Sequence, residues 1–158
     1  MDWIWQLGAC IASVVWTSSH STSTIIDYGH VFLPLVPSEF VHILCASLAA
    51  YSYTCPSFTS VFLQVYAPAM FIKATLIPFT IVPDANPECH SIHIFKCLTR
   101  NDMLPSGHML AASCAALAIH TWWAYLMASL CGVLLVASRM HYVVDVTLSV
   151  WIVALLYK

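Results

Sequence analysis

Two short stretches of this sequence hold residues suited to chemistry: Pro105-Ser106-Gly107-His108 and Arg139-Met140-His141-Tyr142-Val143-Val144-Asp145. Each sets a histidine beside groups able to hold a phosphate. Asp145 follows His141 by four residues, and in a helix residues four apart lie on one face. The spacing therefore predicts that Asp145 holds one imidazole nitrogen of His141 and leaves the other to attack. Two histidines, one oriented by a carboxylate, are the parts needed for phosphoryl transfer through a phosphohistidine. His141 and Asp145 read as nucleophile and partner, and His108 as the acid and base.

The first stretch comes just before an apolar run. Proline suits a helix start, Ser106 can cap it, and Gly107 lets a phosphate approach the backbone. Free amides and the helix dipole favour an anion there. The plain alternative is a capped helix that contains a histidine. For His141 and Asp145 the alternative is a buried ion pair joining helices, with Arg139 competing for the carboxylate. Ionisable pairs inside apolar helices are costly, which favours function. Lys73 lies in the middle of an apolar run. It either snorkels to the headgroups or binds phosphate, and Ser106, the Gly107 amide and Arg139 are further phosphate-binding candidates. Lys96 and Arg100 read as ordinary loop charges, and Asn101 and Asp102 as turn residues. His20, His30, His42, His90, His93 and His120 form no evident constellation. A weak metal site at His90 and His93 is less favoured than loop histidines without function.

These residues must be positioned by a very apolar chain. Of 158 residues, 61% are hydrophobic and only 8% charged, against about 25% charged in an average soluble domain. A soluble chain of this length could not cover itself with polar side chains. The fold class read from this is all-α: a polytopic membrane protein of about six transmembrane helices in one bundle. A membrane barrel would alternate apolar and polar residues, whereas these runs are continuous. The net charge of −2 and the lack of a basic patch argue against a nucleic-acid partner. Met1-Asp2-Trp3-Ile4-Trp5 lacks the basic region of a secretory signal and reads as the start of a first span. Most of the seven cysteines sit in apolar runs, as small hydrophobes do. Only Cys89 and Cys97 share a polar loop, where a disulfide would imply a lumenal or extracellular face. No CxxC pattern suggests zinc.

The chain divides into a short apolar stretch over 3–17, a Ser/Thr-rich connection, and a second span over 40–53 with part of its lead-in. A turn at Cys55-Pro56 precedes the longest apolar run, 57–82, which contains Pro68, Lys73 and Pro78. A polar loop over 83–107 leads to helices over 108–120, 122–138 and 141–157. We read one membrane domain, 1–158, with the catalytic motifs in 71–158. The fourth and fifth helices form an up-and-down pair, so His108 and His141 return to the same side. Only 32 residues separate them, while two full spans want about 20 each. The helices must be short or the site recessed, which suits a lipid phosphate at headgroup depth. Lys96, Arg100 and Arg139 favour a cytoplasmic site face by the positive-inside rule.

At these residues the chain resembles the type 2 phosphatidic acid phosphatase superfamily, most closely its sphingomyelin synthase-like branch. Lys73, then Pro105-Ser106-Gly107-His108, then Ser138-Arg139-Met140-His141 with Asp145 follow the superfamily's three motifs in order. One residue separates Arg139 from His141, where the phosphatases have five. Arg-x-His-Tyr-x-x-Asp-Val and Asn101-Asp102-x-Leu104-x-Ser106-Gly107-His108 look like the synthase pattern. Asn101 departs from that branch's usual glycine, and Pro105 is phosphatase-like. The resemblance covers roughly Phe71 to the C-terminus. It implies six transmembrane helices, no metal and no cofactor, a lumenal site in the synthases, a His141 nucleophile paired with Asp145, and His108 as acid and then base. It implies lipid partners: a phospholipid donor and an alcohol such as ceramide or diacylglycerol, in an endomembrane or plasma membrane. Hydrolysis of a lipid phosphate by the same histidines is the first competing expectation. A non-catalytic membrane scaffold is the second.

Overall fold

The computed structural model describes residues 27–76 and 105–157. The 3–17 stretch, the 83–104 loop, and Cys89, Cys97, Lys96 and Arg100 lie outside the described residues. Every regular element among the described residues is helical.

A one-turn helix, α1 (Tyr28–Phe32), opens the described chain. Asp27 caps it by accepting the Gly29 N–H at Oδ1, 2.7 Å. Pro34 and Pro37 hold the following segment out of helix, since proline disfavours α geometry in the residue before it. Pro37 then stands as N-cap of α2 (Ser38–Tyr53), where the missing N–H costs nothing. The expected turn follows, with Thr54 closing onto the Tyr51 carbonyl at 2.7 Å.

The next rod is continuous but changes winding. It runs as α3 (Phe58–Val61), a π turn (Phe62–Tyr66) and α4 (Ala67–Leu76). The Ala67 N–H reaches back five residues to Phe62. The widening lies directly before Pro68, whose ring and missing donor would otherwise disrupt the helix. This rod meets α2 at a bend of 118°.

Helix α5 (Gly107–Ile119) occupies the centre, touching α2, the π-containing rod, α6 and α7. It has no polar face because both sides are covered. Ala112 and Ala116 pack with Val41, Leu48 and Leu135 on one side. Leu110, Cys114 and Ala118 pack with Val61, Val65 and Ile152 on the other. The run of alanines lets neighbouring backbones come close. His120 ends α5 in the left-handed region (φ 53°), and the chain reverses into α6 (Trp122–Ala137). After a second left-handed residue, Arg139 (φ 59°), it enters α7 (Val143–Leu156).

No single described helix is long and apolar enough to cross a membrane, although the bent pair Ser38–Tyr53 and Phe58–Leu76 passes that test together. The helices expected over 108–120 and 122–138 are 13 and 16 residues long, about 20 and 24 Å.

Gly29 marks where α1 meets the bundle. A Cβ there would stand 2.5 Å from Val143 Cγ2 and 2.6 Å from Val136 Cγ1. Gly29→Ala is therefore expected to push α1 off the α6–α7 junction. We expect a loss of about 1–3 kcal/mol, as for other overpacked sites, read as a lower thermal midpoint in detergent. An unchanged midpoint would show that α1 contributes nothing to this packing.

Candidate active site

His108 and His141 come together at the end of the bundle where α5 and α7 begin. Their ring centroids are 6.3 Å apart in an edge-on arrangement. His141 is buried and His108 half-buried.

His141 is not helical, which corrects the expectation of a helix over 141–157 and of a shared helix face. The left-handed turn at Arg139 breaks the chain after α6, and the N–H groups of Met140 and His141 both turn back to the Leu135 carbonyl. Tyr142 is extended (φ −83°, ψ 159°) and serves as N-cap of α7. Asp145, the third residue of α7, makes the contact another way. Its Oδ2 accepts the Tyr142 N–H at 3.0 Å and lies 3.4 Å from His141 Nδ1, at the long end of hydrogen bonding. A carboxylate capping a helix start thus also holds the imidazole. Asp145 is fully buried, and its Oδ1 has no donor among the described residues.

Lys73 does not snorkel. It is 2% exposed, and its Nζ donates to the Pro105 carbonyl at 2.7 Å. A Cβ built on Gly107 would lie 3.6 Å from that Nζ. The ammonium therefore stands beside the glycine of the first motif. No glycine among the described residues has a positive φ, so the backbone alone does not require glycine here; the space beside Lys73 is what a side chain would occupy. Gly107→Ala is expected to leave the fold intact, since alanine is the better helix former. If a phosphate is bound here, the substitution should lower kcat/KM about tenfold, mostly through KM, by crowding the oxygen that Lys73 would meet. Unchanged kinetics would show that no substrate atom enters this space.

Ser106 is engaged in structure. Its Oγ accepts the Met109 N–H at 3.2 Å and so caps α5. Its carbonyl accepts from Ser149 Oγ at 3.2 Å, and that hydroxyl also lies 2.7 Å from the Asp145 carbonyl. Ser149, which sequence reasoning passed over, thus ties the two motifs together. Arg139 does not pair with Asp145. Its Nη2 donates to the Leu33 carbonyl at 3.1 Å, and its buried Nη1 has no partner among the described residues.

Three further groups without an assigned role join the site. His42, from α2, places Nδ1 3.2 Å from His108 Nε2. His30 Nε2 lies 2.9 Å from the His141 carbonyl oxygen, which can only accept, so His30 carries the proton on Nε2. Its ring stacks on Tyr142 at 5.2 Å. Asp27 Oδ2 accepts the Val143 N–H at 2.7 Å, so α1 pins the 141–143 turn from outside. The only local hint in the sequence was the polar cluster Asp27-Tyr28-Gly29-His30, more than a hundred residues from the turn it holds.

Below the histidines, a cavity of about 400 Å³ opens between α2, the π-containing rod and α5. Its lining is almost entirely apolar and includes Ala49, Tyr53, Phe62, Ala111 and Ala115. Ala111 and Ala115 follow His108 along one face of α5. Among the described residues, Lys73, Arg139 and four histidines stand at this end with the carboxylates of Asp145 and Asp27; Lys73 beside Gly107 is the cation placed to meet an anion. Compared with protein-family models, curated proteins and solved structures, the chain matches none.

Proposed function

We propose that this chain is a multi-pass membrane enzyme of the sphingomyelin synthase-like branch of the type 2 phosphatidic acid phosphatase superfamily. It moves a phosphocholine-type headgroup from a phospholipid to a lipid alcohol such as ceramide. The observation that carries this reading is the convergence of His141, held at Nδ1 by Asp145, with His108 and with Lys73 at Gly107.

The chemistry follows from those positions. With Nδ1–H directed at Asp145, His141 keeps its Nε2 lone pair and attacks phosphorus. The bond from phosphorus to the lipid oxygen breaks, and His108 as imidazolium gives that oxygen its proton. Asp145 stabilises the charge that His141 gains. In the second step His108 takes the proton of the acceptor hydroxyl. The new oxygen attacks phosphorus, and the N–P bond returns its electron pair to Nε2. Lys73 and the amides at the start of α5 face the charge that builds on the phosphate oxygens.

Two features support a lipid substrate in a bilayer. Large apolar side chains are exposed around the bundle, among them Phe40, Ile43, Phe71, Leu126, Trp151 and Leu155; such surfaces mark membrane or partner contact. Tyr51, Tyr53, Trp122, Trp123 and Tyr157 stand where α2 and α7 end and α6 begins, away from the site, as interfacial aromatics do. Helices α5 and α6 are shorter than the roughly 30 Å hydrocarbon core, which supports a site recessed below the membrane surface, within reach of a lipid's headgroup phosphate.

The test is product analysis with purified protein in phosphatidylcholine liposomes containing fluorescent ceramide, with fluorescent phosphatidic acid in parallel. A new phosphosphingolipid is the expected product. Release of inorganic phosphate alone would replace transfer by hydrolysis. Neither product, from folded protein, would leave a non-catalytic scaffold.

A further inference from the structure

His42 belongs to neither motif, yet it makes the closest ring contact with His108. The two centroids are 5.1 Å apart, with His108 Nε2 facing His42 Nδ1 at 3.2 Å. The contact joins residues 66 apart in sequence, from the exposed start of α2 to the half-buried start of α5. One turn further along α2, Cys45 Sγ lies 3.6 Å from the His108 carbonyl, so α2 is seated on His108 at both side chain and backbone. His108 thus stands between His42 and His141. Among the described residues no three such side chains converge as a metal site, so the row reads as proton chemistry.

We propose that His42 is a positioning residue that fixes the tautomer of His108; the inference rests on the phosphotransfer reading above. A hydrogen bond between two imidazole nitrogens needs one N–H and one lone pair. With His108 as the acid, its Nε2–H donates to the lone pair on His42 Nδ1, and His42 keeps its own proton on Nε2. His108 Nδ1–H then faces the leaving oxygen. When that proton is transferred, His108 becomes the neutral Nε2–H tautomer, with a lone pair on Nδ1. The bond to His42 is unchanged, and Nδ1 is ready to take the proton of the acceptor hydroxyl. Both half-reactions run through one nitrogen with no ring flip. Without His42, neutral His108 is free to carry its proton on Nδ1 and cannot serve as base.

His42 therefore does for His108 what Asp145 does for His141, with the ring nitrogens exchanged. The difference in partner follows from the difference in task. His141 must bear positive charge while it holds phosphate, and a carboxylate stabilises that charge. His108 must release its proton, and a neutral imidazole directs the ring without holding the proton as a carboxylate would.

The test compares wild type, His42→Leu and His42→Asn in phosphatidylcholine liposomes containing fluorescent ceramide, with fluorescent phosphatidic acid in parallel. The asparagine amide oxygen can accept at nearly the place of His42 Nδ1; leucine cannot. His42→Leu is expected to lower kcat about a hundredfold, within the usual range for acid–base catalysis, with KM nearly unchanged. His42→Asn should recover to within about tenfold of wild type. The same proteins labelled with ¹⁵N-histidine, with His108→Gln used to assign the resonance, report the tautomer directly. Neutral His108 is expected as Nε2–H in wild type and His42→Asn, and as a tautomer mixture in His42→Leu. Equal turnover in all three proteins, or equal turnover in the two variants, overturns the proposal, as does an unchanged tautomer in His42→Leu. A wild type that makes neither product sinks the phosphotransfer reading instead, and the tautomer spectra still decide what His42 does.

Discussion

His141→Ala is expected to lower turnover by at least about a thousandfold, the scale on which loss of a covalent nucleophile acts, while leaving a folded protein. The fold should survive because the bonds that pin this residue are made by its backbone. Its N–H goes to the Leu135 carbonyl, and its own carbonyl meets His30 Nε2 at 2.9 Å. Alanine keeps both. What disappears is the ring on Asp145 and the nucleophilic Nε2. A second readout separates covalent catalysis from simple positioning. Donor lipid labelled in the headgroup should leave label on wild-type protein as an acid-labile, base-stable adduct, absent from His141→Ala. His108→Gln should accumulate more of it if the second half-reaction is the more impaired. Turnover within tenfold of wild type in a folded His141→Ala would end the phosphohistidine mechanism.

Asp145→Asn has the second-largest expected effect, a loss of about 500-fold in turnover, the scale on which one preorganised electrostatic stabiliser acts. The substitution is nearly isosteric, and an amide oxygen can still accept the Tyr142 N–H that Oδ2 accepts at 3.0 Å. The same oxygen position faces His141 Nδ1, 3.4 Å from Oδ2, and the amide N–H₂ takes the place of Oδ1, which has no donor among the described residues. The imidazole is still oriented through Nδ1–H, but the negative charge that stabilises the imidazolium is gone. Activity is lost through that charge, with the thermal midpoint close to wild type. Asp145→Ala removes the helix-start bond as well and should cost about 1 kcal/mol of stability in addition. If both variants lose stability equally, or if Asp145→Asn stays active, Asp145 acts as a structural cap and the charge-stabilising role is withdrawn.

Much of the fold was legible because helix starts and stops are written locally. Pro37 before α2, Pro56 in the turn, Ser106 before α5 and the break at His120–Thr121 each act on the next few residues through φ restriction or capping, and the observed boundaries fall beside them. The π turn before Pro68 was not legible, since a proline in an apolar run does not say how the helix will absorb it. The end of the chain misled for a related reason. Val143–Leu156 continues the apolar pattern seamlessly back to His141, and nothing local announces that Arg139 turns left-handed and leaves His141 outside the helix.

The site divides along the same line. Residue type and order along the chain determined His108, His141 and Asp145, because a histidine after Ser-Gly and a histidine four before an aspartate are local patterns. The up-and-down pair of helices between them determined that the two meet on one side. Only the tertiary structure decided which other groups stand with them. Lys73 meets Gly107, and His42 meets His108, across separations of more than thirty residues. Asp27 and His30 pin the 141–143 turn from across the chain. Such pairings depend on how α2, α4 and α1 pack on α5 and α7. Packing is set by the fit of whole apolar faces, and no spacing along a single segment records it.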